Sequence, residues 1–146
     1  MREKLTIRLA CKTDEERIME LGRKAGMGTL GGFDETLVAC LEDGTIAGFC
    51  RVRTIEGVAY INPIVVDESL RRCGIGTTLM DAAQSAHGEL RFVARGCAVP
   101  FYRALGCDEV PWSDIDPAIA CDCDECAGFD SCRPIPMRMQ PGGRRA

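Results

Sequence analysis

The sequence predicts an α/β fold, a mixed and mostly antiparallel central sheet of about six strands flanked by helices. Three observations carry this. Residues 36–41 and 45–53 are strand-like runs joined by Glu42-Asp43-Gly44, and Asp-Gly is a strong hairpin signal. Residues 59–66 form an apolar run rich in β-branched side chains, which reads as a buried strand. Residues 75–86 then place Ile75, Leu79, Ala82, Ala83 and Ala86 on one face at three- and four-residue spacing, the signature of a helix. Strands in series followed by helix, strand and helix make a sheet covered by helices.

The remaining elements follow in order. Residues 5–9 alternate apolar and polar and suit a first strand. Thr13 or Asp14 is placed to cap the next helix, with Glu16 close behind and Ile18, Met19 and Leu21 as its apolar side. Gly26, Gly28, Gly31 and Gly32 are too dense for a long helix, so any second helical piece here is short or absent. Ile55-Glu56-Gly57 makes the turn into the 59–66 strand. Residues 90–94 form the fifth strand, and Phe101, Tyr102 and Leu105 lie on an amphipathic helix that Gly106 stops. Residues 107–110 begin a sixth strand, cut short by Pro111.

Composition narrows the function classes. A length of 146 residues suits one domain with a proper core, and a 46% hydrophobic content excludes extended disorder away from the C-terminus. A net charge of −4 argues against a general nucleic-acid binder. No apolar run approaches the ~18 residues of a membrane span. Met1-Arg2-Glu3-Lys4 has no signal-peptide core, so the chain reads as cytoplasmic.

The strand–helix junction carries the chemistry. Arg71-Arg72-Cys73-Gly74-Ile75-Gly76-Thr77 lies where a strand hands over to a helix N-terminus. Backbone N–H groups there lack helical partners, the dipole favours an anion, and glycine admits a phosphate close to the main chain. Two familiar nucleotide loops do not fit. The dinucleotide fingerprint needs a third glycine where residue 79 is Leu, and the P-loop needs a lysine where Thr77-Thr78 follows Gly76. An Arg/Gln-x-x-Gly-x-Gly/Ala pattern after a strand ending in Val65-Val66-Asp67 instead resembles the acetyl-CoA pyrophosphate loop of the GNAT superfamily of N-acetyltransferases, with Arg71 in the Arg/Gln position. Ala98-Val99-Pro100-Phe101-Tyr102-Arg103-Ala104-Leu105-Gly106-Cys107 resembles that superfamily's later Ala-x-x-Phe-Tyr-x-x-Leu-Gly-Phe motif, at a separation that leaves room for one helix and one strand.

The resemblance spans roughly residues 5–110 and implies a domain at 1–110 followed by a Cys-rich tail at 111–146, packed on that domain or extending it. It implies that the fourth and fifth strands run parallel and splay apart. It also implies acetyl-CoA as cosubstrate and an amine acceptor, with no nucleic acid or membrane as partner and a homodimer left open. Arg71, Arg72, Cys73, Gly74, Ile75, Gly76 and Thr77 would hold the pyrophosphate, and Ile64, Val65 and Val66 would offer main-chain groups to pantetheine. Tyr102 takes the place of the general acid; its plainer role is packing. Arg95 stands where many relatives have an asparagine contacting pantetheine, and either reaches a CoA phosphate or points to solvent. No base is identified: Glu89, Glu35, Glu56, Asp67 and Glu68 lie near strand ends, and His87 reads as a helix C-terminal residue.

Ten cysteines are many for such a chain. Cys11, Cys40, Cys50, Cys73, Cys97 and Cys107 fall singly and read as small buried apolar residues, although Cys73 in the loop would be oxidisable if Arg72 and the helix end lower its pKa. Cys121, Cys123, Cys126 and Cys132 are close enough in a short tail loop to ligate one zinc ion or an iron–sulfur cluster, and free thiols or disulfides are the alternatives. Two further readings stand beside the enzyme: a non-catalytic acyl-CoA sensor, and a metal- or redox-responsive regulator acting through this tail.

Overall fold

The computed structural model describes residues 5–25, 35–70, 74–124 and 133–141, the side chains of 121–124 apart. Its elements are β1 (Thr6–Leu9), α1 (Glu15–Lys24), β2 (Thr36–Cys40), β3 (Ile46–Ile55), β4 (Val58–Val66), α2 (Ile75–His87), β5 (Leu90–Ala94), α3 (Val99–Ala104), β6 (Asp108–Glu109), α4 (Pro117–Asp124) and β7 (Ile135–Met139). The strands form one sheet in the order β1-β2-β3-β4-β5-β7-β6. The β4–β5 pair is parallel, whereas β1–β2, β2–β3, β5–β7 and β6–β7 are antiparallel. This is the expected mixed sheet with one strand more, supplied by the tail.

The turns form for local reasons. Gly44 has φ +88°, and the Leu41 amide bonds to the Thr45 carbonyl at 2.8 Å to close the first hairpin. Glu56 and Gly57, at φ +53° and +79°, make the second in two residues, the backbone that the twist of paired strands favours. Gly106, at φ +88°, ends α3: its amide reaches the Arg103 carbonyl at 3.0 Å, and the Cys107 amide reaches Tyr102 at 3.1 Å. This is a Schellman motif.

The molecule divides into two compact units. Met1–Arg53 with Pro63–Ala83 is the first, and Thr54–Asn62 with Gln84–Ala146 is the second. In the first unit Ile18 and Leu21 of α1 bury against Val38, Cys40, Ile46, Phe49 and Val65. The helix opens on Glu15 and Glu16 and closes on Arg23 and Lys24, which suits its dipole. Asp14, one of the two capping positions offered by the sequence, stands at the N-cap of α1, but its side chain makes no cap bond. Its carboxylate instead accepts both Arg8 guanidinium nitrogens, at 2.7 and 3.1 Å, and the Cys11 amide at 2.8 Å. The pairing ties the end of β1 to the start of the helical region.

In the second unit Tyr60, Val110, Ile115 and Ile119 form one cluster of the core. The Tyr60 hydroxyl accepts the Asp116 amide at 3.0 Å, and Arg91 donates to the Asp114 carbonyl at 2.8 Å. Strand β5 pairs along all five of its residues with β7, but with β4 only through Ala59↔Leu90 and Tyr60↔Arg91. Both strands continue past that short parallel ladder. Strand β7 was not read from the sequence because it contains Pro136, which lacks a ladder donor. The strand forms regardless, and the Pro136 carbonyl accepts the Val110 amide at 3.0 Å.

The Asp14 cluster has a testable sign. The hydrogen bond from Arg8, with the Cys11 amide adding to it against burial, holds the Asp14 carboxyl well below the usual carboxylate range. A depressed native pKa contributes stability above the unfolded value of about 3.9, and that contribution is lost as pH falls below it. Asp14→Asn should therefore cost about 1–2 kcal/mol at pH 7 and progressively less toward pH 3. Urea unfolding of both proteins at the two pH values checks this, and a pH-independent gap would contradict it.

Candidate active site

The strand–loop–helix junction lies within the first unit. Val65 is buried in the α1 cluster, so strand alternation turns the half-buried Ile64 and Val66 to the other face. The chain leaves β4 at Asp67, turns through Glu68–Leu70 and enters α2 at Gly74, whose φ is +79°. Ile75, Leu79, Met80 and Ala83 anchor α2 by burial. The first helical bond runs from the Thr78 amide to the Gly74 carbonyl at 3.0 Å, and the Thr78 hydroxyl bonds the same oxygen at 2.8 Å. The amides of Ile75, Gly76 and Thr77 thus stand ahead of the ladder, where an anion is favoured. Arg71, Arg72 and Cys73 lie outside the described residues.

Three features fix this strand end, and none was read from the sequence. Gly48 of β3 lies so close that an added Cβ would sit 2.8 Å from the Val65 carbonyl oxygen, 3.2 Å from Val66 Cα and 3.4 Å from Ile75 Cγ2. The Asp67 amide bonds the Ala47 carbonyl at 2.8 Å. Arg17 of α1 donates to Asp67 at 2.8 Å, to Glu20 at 2.7 Å and to the Ile46 carbonyl at 3.2 Å. A glycine inside a strand run hints at close backbone approach, which was the one legible signal. Beside the strand end is a cavity of about 530 Å³ lined by Leu21, Lys24, Ala25, Val66, Asp67, Glu68 and Ser69. Its rim carries both signs of charge, so it selects no acceptor class by itself.

The second unit holds the other two assigned residues. Tyr102 is buried on α3, its ring 4.5 Å from Phe92 and 5.0 Å from Phe101 between centroids. Arg95 follows β5 directly and is exposed. Among the carboxylates weighed as bases, Asp67 is engaged: it accepts the Ser69 hydroxyl at 2.7 Å and amide at 2.9 Å besides Arg17. These bonds, Ser69 foremost, lower its pKa and make it a weak base. Glu89 pairs with Arg91 at 2.7 Å, Glu56 sits in the exposed hairpin turn, and His87 ends α2. Glu35 and Glu68 are exposed.

The cysteines divide. Cys40, Cys50 and Cys107 are buried as expected, whereas Cys11 and Cys97 are exposed, because each lies just past a strand end. Burial pushes the Cys50 thiol up to about 12 and, with Asp108 adding, Cys107 up to about 11. Cys73 is outside the described residues. In the tail, Cys121 and Cys123 fall on the backbone of α4 rather than on a loop, while Cys126 and Cys132 lie outside the described residues. No group of three or more metal-ligating side chains occurs among the described residues. No helix among them is long and apolar enough to cross a membrane.

A model of the acetyltransferase (GNAT) family matches residues 7–107. No curated protein matches the chain. Among solved structures, Ard1 from Thermoplasma volcanium is 20% identical, with 94% of this chain and 97% of that one covered at a TM-score of 0.72. Rv2747 from Mycobacterium tuberculosis, in complex with CoA and NLQ, is 16% identical, with 92% and 98% covered at 0.74. PaiA N-acetyltransferase from Thermoplasma acidophilum, in complex with coenzyme A, is 16% identical, with 94% and 99% covered at 0.64.

Gly48→Ala tests the close approach. The new methyl meets backbone rather than a flexible side chain, so β3 and β4 must part locally, at a cost of about 1–3 kcal/mol. Denaturant unfolding should show that loss. A variant as stable as the wild type would mean that the strand end has slack.

Proposed function

The chain belongs to the acetyltransferase (GNAT) family, and on that premise we propose that it transfers the acetyl group of acetyl-CoA to a primary amine of a small molecule or protein by direct attack. The observation that carries this reading is the handover from β4 through Gly74 to α2, with the amides of Ile75, Gly76 and Thr77 at the helix start. A pyrophosphate there would gain charge-assisted bonds from main-chain N–H groups, with Arg71, Arg72 and Cys73 completing the loop in sequence. Gly74 and Gly76 leave the anion unobstructed by a Cβ. The main-chain groups of Ile64, Val65 and Val66 would run beside pantetheine and aim the thioester carbonyl. That proteins of similar fold are solved with coenzyme A supports the same cosubstrate here.

In the proposed step the amine nitrogen attacks the thioester carbonyl carbon, the C–N bond forms and the C–S bond breaks. Tyr102 gives its phenolic proton to the leaving thiolate. Its ring is fixed by Phe92 and Phe101, so the hydroxyl is positioned at little further entropic cost. Arg95, exposed at the end of β5, is assigned to a CoA phosphate. An engaged Asp67 and a paired Glu89 leave the amine's proton to another carboxylate or to water.

Two variants test the reading. Gly74→Glu fills the phosphate position with a side chain of like charge and strains a left-handed residue, so acetyl-CoA binding at a Kd of about 10 μM or tighter should vanish in calorimetry. Wild-type protein that ignores millimolar CoA would refute the assignment. Tyr102→Phe should lower turnover about 10²-fold with CoA affinity nearly unchanged. Equal turnover would leave Tyr102 a packing residue.

A further inference from the structure

Arg17 is not part of either sequence motif, yet it makes a polar connection across 50 residues to the residue just past β4. Its guanidinium spans three acceptors on three elements: Glu20 on its own helix, the Ile46 carbonyl at the start of β3, and Asp67 just past β4. Asp67 passes the restraint on. Its other carboxylate oxygen takes the Ser69 amide and hydroxyl, and its own amide is bonded to Ala47. The first residues of the β4–α2 connection are therefore held from both sides, by side chain from α1 and by main chain from β3. Burial works against the Arg17 charge, and the bonds to Glu20 and Asp67 more than offset it. About a quarter of each side chain is exposed in the Arg17–Asp67 pair, so water screens the bond and its value lies in geometry rather than in raw stability.

We propose that Arg17 is a positioning residue for the CoA loop: by clamping Asp67 it sets the direction in which the chain leaves β4 toward Gly74 and α2. The inference rests on the reading of that loop as the acetyl-CoA site. A planar fork is needed to hold three acceptors at once, and lysine offers only a point charge on a flexible stem. The clamp acts on affinity for the cosubstrate and leaves the chemical step to other groups.

The test uses the full chain with Arg17→Met, Arg17→Lys and Asp67→Asn. Amide hydrogen exchange in the unliganded protein should speed up across residues 67–70 and 74–78 in Arg17→Met and Asp67→Asn, with β6 and β7 unchanged. The KM for acetyl-CoA should rise about three- to tenfold while kcat stays within about twofold. The effects of Arg17→Met and Asp67→Asn on that KM should combine to less than their sum, because the Arg17–Asp67 contact is counted in both. Arg17→Lys keeps the charge and the fold and should fall between. Unchanged exchange in 67–78 overturns the proposal, as does faster exchange spread evenly over the chain. If wild-type protein binds no CoA, the functional reading fails alone, because the exchange measurement judges the clamp without ligand.

Discussion

The end of β4 lies closer to β3 than any side chain at position 48 would permit, and this contact sets the rest of the site. With hydrogen alone on Gly48, the Val65 carbonyl and Val66 Cα settle against β3, and Ile75 at the start of α2 packs within reach of the same spot. The Asp67 amide then reaches the Ala47 carbonyl at 2.8 Å. One missing methyl thereby fixes where the strand stops, where the turn begins and where α2 is anchored. That anchoring helps to aim the helix's first amides.

How far the sequence reveals this depends on the range of the interactions. Strand β5 matches the expected 90–94 bounds, because its boundaries are set by the Ser85–His87 helix end and by Gly88 and Gly96 within a few residues. The two hairpins and the α3 stop are equally local, each fixed by a residue at positive φ. Helix α2 was legible because burial of Ile75, Leu79 and Ala83 repeats at helical spacing. The clamp was not, since Arg17 and Asp67 are 50 residues apart and Arg17 belongs to no pattern. Position alone makes Asp67 a candidate base; its three donors show it occupied as a structural acceptor.

The tail shows the same limit in a stronger form. Its cysteine spacing suggests metal, while among the described residues a strand comes from Ile135–Met139, a run that Pro134 and Pro136 disguise. Strand β7 covers the full free edge of β5, and Met137 and Met139 are completely buried. Tyr60 and Arg91 then tie the segment before α4 to β4 and β5 through its main chain. Removing the tail would therefore strip a sheet edge and uncover apolar core, which makes it part of the folded unit that carries Tyr102.

The central claim is that main-chain groups at the β4–α2 junction recognise a pyrophosphate. Calorimetry of the wild-type protein with acetyl-CoA and with S-acetylpantetheine, which lacks the pyrophosphate and the phosphorylated adenosine beyond it, tests that recognition. Two charge-assisted bonds lost together correspond to at least about 10²-fold in affinity. The account predicts that acetyl-CoA binds tighter by that factor or more, with the difference shrinking as salt is raised. Equal affinities for the two thioesters would contradict it.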